Sequence, residues 1–153
     1  MAAYAPLLRF IRQAVTISGL GTLASASMSS LSAAYNLTGN FDSGAGITQP
    51  PPCDLLIEFE ATAGAATSGG QQAVLYAQVS TDGSDFTSGN DAYDLYPIAA
   101  LPLPDTNLRC KVYSLVGQLG FMPAAVKFKV LNDCGTAFSV CAIYTTEVSN
   151  QFQ

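Results

Sequence analysis

Asp82, Asp85, Asp91 and Asp94 crowd one stretch, Ser-Thr-Asp-Gly-Ser-Asp-Phe-Thr-Ser-Gly-Asn-Asp-Ala-Tyr-Asp. Closely spaced side-chain oxygens are what a calcium ion takes as ligands. The order is not that of the twelve-residue D-x-[DN]-x-[DN]-G loop, and no Glu closes it. The four aspartates therefore read as a solvent-facing turn, with Asp82-Gly83 a good hairpin signal. Glu58 and Glu60 share one strand face at about 7 Å, which raises the chemistry of paired carboxylates on a glycosidic bond. The chain has no Trp to hold a sugar ring. A polar strand face, salt-bridged to Lys127, Lys129 or Arg109, is the plainer expectation. Histidine is absent, so neither a serine triad nor a cysteine nucleophile has its usual base. Neither Gly-x-Ser-x-Gly nor a phosphate-cradling Gly-x-x-x-x-Gly-Lys loop occurs. Cys53, Cys110, Cys134 and Cys141 form no C-x-x-C pair, and no His completes a zinc set. Oxidised, they would allow three full pairings, as in an extracellular particle; the favoured reading is reduced thiols, with Cys110 buried on the inward face of its strand. The sequence thus assigns no catalytic residue, no metal site and no cofactor, and the chain reads as non-enzymatic.

Whatever these residues do, a single domain of 153 residues must position them. Eleven acidic and six basic residues give a formal charge of −5, and only 11% of positions are charged against roughly 25% in typical soluble domains. Few clustered cations point away from nucleic acid as a partner. Hydrophobic residues at 49% supply a core, and the scarcity of charge suggests a surface partly covered by another protein. No run reaches the ~18–20 apolar residues that cross a bilayer. Arg9 and Arg12 ahead of Ala14–Ala24, with Ala24-Ser25-Ala26 behind, sketch a signal peptide, but Thr16, Ser18, Gly19, Gly21 and Thr22 interrupt its apolar centre.

Two regions follow. Residues 1–52 read as an N-terminal arm and linker. Pro6 to Gln13 suggests a two-turn helix, then comes an extended Ser/Ala/Gly-rich segment from Val15 to Ala34, and turn chemistry leads to Pro50-Pro51-Pro52. Residues 53–153 read as strands. Leu55–Thr62 alternates Leu55, Ile57, Phe59 and Ala61 against Glu58 and Glu60. Ala73–Ser80, Leu95–Leu101, Leu108–Tyr113, Ala125–Leu131 and Phe138–Tyr144 behave similarly. The expected inward sets are Leu108, Cys110, Val112 and, on the last strand, Phe138, Val140, Ala142, Tyr144. Asn132-Asp133-Cys134-Gly135 is a turn that lets the last strand pair back. Six or seven short strands with Gly/Pro turns predict an all-β fold, an antiparallel β-sandwich or jelly roll with an extended N-terminal arm.

Several stretches carry a resemblance: Ile17-Ser-Gly-Leu-Gly-Thr-Leu-Ala-Ser, the acidic strand Asp54–Glu60, and Ser80-Thr-Asp-Gly-Ser-Asp-Phe-Thr. Ile98-Ala-Ala-Leu-Pro, Tyr113-Ser-Leu-Val-Gly-Gln-Leu-Gly, Met122-Pro-Ala-Ala-Val-Lys-Phe-Lys-Val and Leu131-Asn-Asp-Cys-Gly-Thr-Ala-Phe-Ser continue it. Together they resemble a group of small tailed-bacteriophage virion proteins. The resemblance implies a structural β-sandwich on the capsid surface, a cement or decoration protein assembled in the host cytoplasm. Its partners would be the major capsid protein and neighbouring copies of itself, with no nucleic acid and no membrane. Leu7, Leu8, Phe10, Ile11, Ile17 and Leu20 are the expected capsid-interface residues, at roughly 1.5–3 kcal/mol per side chain fully buried. The alternative is a head-fibre or tail-tip module that binds a host surface ligand, and a pilus-like adhesin is a third reading.

Overall fold

Alternation of apolar and polar residues is the dominant local pattern, and it becomes eleven strands in the computed structural model, which describes residues 7–37, 40–42, 46–49, 52–66, 71–86 and 95–151. In chain order these are β1 (Leu7–Ala14), β2 (Ser27–Met28), β3 (Tyr35–Asn36), β4 (Asn40–Asp42), β5 (Gly46–Gln49) and β6 (Asp54–Ala63). They continue as β7 (Gln72–Ser80), β8 (Tyr96–Pro102), β9 (Arg109–Ser114), β10 (Ala125–Asp133) and β11 (Phe138–Gln151). One single-turn helix, α1 (Leu115–Leu119), escapes the sequence reading. Ser114 caps it by accepting the Gly117 N–H, and Gly120 ends it at φ 79°.

Two antiparallel sheets pack face to face as a β-sandwich. The first has strand order β1-β11-β6-β9, and the second β2-β10-β7-β8, with β3 also on β10. β4 and β5 form a separate ribbon. The pairings are nested. β7 pairs β8, β6 pairs β9, β2 and β3 pair β10, and β1 pairs β11. A ribbon of strand pairs rolled over itself in this way is the jelly roll. The core lies between the sheets. Leu55, Ile57, Phe59 and Ala61 of β6 meet Leu75 and Ala77 of β7 and Val126, Phe128 and Val130 of β10, all with no accessible surface.

The amino-terminal stretch is extended, but it lies on the sandwich. Leu7–Ala14 is a strand and not the expected helix, in register with β11 from Leu7↔Gln151 to Ala14↔Tyr144. Two helical turns are too few to hold themselves, whereas eight residues along a ready sheet edge find a partner for each inward-turned backbone group. Residues 15–26 then cross to the second sheet, and Ile17 and Leu20 enter the core at 8% and 5% exposure. Ser29 and Ser32 close the edge of β10. Each donates its N–H to a β10 carbonyl, Val130 O at 2.8 Å and Phe128 O at 2.9 Å. Each then accepts the N–H of the same residue on its hydroxyl, at 3.0 and 2.9 Å. Two serine hydroxyls thus stand in for two strand carbonyls.

Three details of facing and pairing differ from the alternation read in sequence. On β9 the pattern is inverted: Leu108 and Val112 are 57% and 61% exposed, Cys110 is exposed, and Tyr113 turns toward the core and donates to Ala100 O. β9 is an edge strand, so its inward residues need only be half-covered, and a polar-looking set can take the inner face. On β11 a bulge between Phe138 and Val140 shifts the phase. Phe138, Cys141 and Ile143 are buried while Val140 is 42% exposed. Finally, the turn after β10 has its glycine at positive φ as expected (Gly135, 78°), but it carries the chain to the other sheet and β10 and β11 do not pair.

Candidate functional site

The outer face of the first sheet collects the chemistry-bearing side chains. Its register builds cross-strand rows. Tyr144 of β11 stands beside Glu58 of β6, which stands beside Val112 of β9. In the next row Ala142, Glu60 and Cys110 are neighbours, and beyond them Val140 lies opposite Thr62, with Leu108 just before β9. Glu58 and Glu60 point outward because Ile57, Phe59 and Ala61 point in.

Arg12 of β1 reaches across to Glu58. Its Nε and Nη2 donate to the two carboxylate oxygens at 3.1 Å each, and its guanidinium lies 3.6 Å above the Tyr144 ring. The hydrogen bonds to Arg12 hold the Glu58 carboxyl below its ordinary range and raise the guanidinium in turn. A general acid needs the opposite, a carboxyl raised toward neutrality, so Glu58 is suited to pairing and not to proton donation. The expected salt-bridge partners are elsewhere. Lys127 and Lys129 belong to the other sheet, and Arg109 pairs with Asp105 at 2.6 Å. Cys110, expected in the core, sits on this outer face with its Sγ 3.9 Å from Glu58 Oε1. Partial burial, and then the two carboxylates, push its thiol up. One donor atom from each of Glu58, Glu60 and Cys110 lies within 4.8 Å of the others, a set that could hold a cation were Arg12 not already on Glu58.

Of the interface residues expected from sequence, Ile17 and Leu20 are spent on the protein's own core. Leu7, Leu8, Phe10 and Ile11 lie on β1, and their side chains fall outside the described residues. Asp82 and Asp85 occupy an exposed turn after β7, whereas Asp91 and Asp94 lie outside the described residues. Asp82 acts within the turn. Its Oδ1 accepts the N–H groups of Ser84 and Asp85 and the Ser80 hydroxyl, each at 2.8 Å. Those bonds depress its pKa strongly, the two backbone N–H groups most of all. Sequence reading found the Glu58–Glu60 pair but missed Arg12, Tyr144 and Cys110 beside it. Arg12 and Glu58 are 46 positions apart, and only the β1–β11–β6 register brings them together.

The second sheet has an outer face as well. Lys127 and Lys129 project from β10 between the inward Phe128 and Val130. The Lys127 ammonium sits 3.9 Å over the Phe86 ring. Lys129 lies in register with Tyr76, and Leu131 with Val74. Among the described residues no helix is long and apolar enough to cross a membrane. Compared with known protein families, with characterised proteins and with solved structures, the chain matches none.

Proposed function

We propose that this protein is a non-enzymatic structural component of a tailed-bacteriophage virion, a cement or decoration protein that bridges major capsid protein subunits. The observation that carries the reading is the outer face of the first sheet. Leu108, Val112 and Val140, 57%, 61% and 42% exposed, frame Glu60 on a rigid four-stranded platform whose inner side is already filled. Apolar groups left at the surface around one carboxylate suit a protein partner better than a small substrate. The jelly roll supports the reading only by analogy, since it serves capsid and lectin domains alike. The low charge content agrees with a surface covered in an assembly.

The test is quantitative mass spectrometry of purified particles together with heat-induced DNA release from particles lacking this chain. Copy numbers near that of the shell protein, and earlier DNA release on heating, are expected, because a protein that binds only assembled neighbours stabilises that state by mass action. A handful of copies per particle, with normal heat resistance and failed adsorption to cells, would replace this reading with the head-fibre or tail-tip alternative. Tyr96, 42% exposed at the start of β8, is the group that alternative would use.

A further inference from the structure

We infer that copies of this chain associate head to tail, the outer face of the first sheet of one copy resting on the outer face of the second sheet of the next. The two faces carry complementary charge. On the first sheet Glu58 is engaged by Arg12, which leaves Glu60 as the carboxylate with no cationic partner among the described residues. Val112, Val140 and Leu108 stand exposed around it. On the second sheet neither Lys127, which sits over the Phe86 ring, nor Lys129 has an anionic partner among the described residues. Tyr76 is the cross-strand neighbour of Lys129 and Leu131 follows on the same face, both half-buried, with Val74 buried beyond them. The first face therefore presents one carboxylate without a cationic partner and the second face two ammonium groups without an anionic one, so the signs are opposite.

Sheets stack face to face at about 10 Å, a gap that a lysine and a glutamate reaching from opposite sides can span. A two-fold contact that opposed Glu60 with its own copy, or Lys129 with its own copy, would instead set like charges against each other. Like charges so placed repel, which favours the unlike pairing. An interface between two different faces of the same chain is heterologous, and it propagates into a row or closes into a ring. The inference deepens the structural-protein reading and rests on it only in treating an uncovered face as a docking face.

The test uses the full-length purified chain, so its failure leaves the particle experiment standing. In sedimentation velocity at low salt the parent protein is expected to associate with rising concentration and to dissociate as salt screens the pair. Glu60→Lys alone and Lys129→Glu alone should each weaken association at least about tenfold. An equimolar mixture of the two, and the double variant Glu60→Lys/Lys129→Glu, should restore it, because both arrangements recreate opposite charges across the contact. Restoration also shows that the single variants are folded, and the milder Glu60→Gln should give an intermediate loss. A parent that stays monomeric across the concentration range overturns the inference. So do single variants that associate like the parent, or a mixture that stays dissociated.

Discussion

A carboxylate that accepts two backbone N–H groups stays ionised far into acid, and Asp82 is in that position beside Ser84 and Asp85. Its folded pKa lies below the unfolded value, so its stabilising contribution is complete above the ordinary aspartate range and disappears as pH falls through the depressed one. Asp82→Ala should therefore lower the Tm by a constant amount above about pH 5, with the difference from the parent narrowing below about pH 4. A gap that stays constant down to pH 2 in thermal melts followed by circular dichroism would contradict this. The Asp-Gly signal was readable in sequence as a turn. That one of the four aspartates organises it was not, because which donors a carboxylate meets depends on backbone geometry that composition does not encode. Cys110 shows the same limit from another side: its alternation with Leu108 and Val112 is real, but alternation gives two faces without saying which is inner.

Strands were legible where the apolar set was both regular and central. β6, β7 and β10 stand within two residues of their expected bounds because Leu55, Ile57, Phe59, Leu75, Val126 and Phe128 have to be dry. Edge strands gave weaker signals. β2 and β3 are two residues each, and what fastens their segment to β10 is a pair of serine hydroxyls in a run that reads as featureless. Ser29→Ala and Ser32→Ala each strand a buried N–H, that of Val130 or Phe128. Each should cost about 1–3 kcal/mol in urea denaturation, with the double variant close to the sum or beyond it. Losses near zero for both would mean that the segment is held by its backbone bonds alone. The helix expected at Pro6–Gln13 illustrates the complementary error. Local propensity was read correctly as marginal, and tertiary pairing with β11 decided the outcome.

The nested pairing of the whole molecule could not be read from local pattern, because apart from β7–β8 and the β4–β5 ribbon each pair joins segments far apart in the chain. It also turns the presumed attachment arm into part of the fold. Removing residues 1–14 takes away an edge strand of the first sheet and its Arg12–Glu58 pair. At a net contribution of about 1 kcal/mol per lost hydrogen bond, that truncation should lower stability by a few kcal/mol. An unchanged denaturation midpoint would show that β1 is dispensable to the sandwich. Time of synthesis gives this arrangement a further meaning. β1 leaves the ribosome before every other strand of the sandwich, while its partner β11 emerges after all of them. At roughly 5–20 residues per second the first strand waits on the order of ten seconds or more with no native edge to join. Closure of this sheet therefore waits for β11, and on a crowded polysome a waiting β1 can meet the finished β11 of an older neighbour before its own. Each nascent chain is thus exposed, for those seconds, to exchanging its first strand with a sibling's.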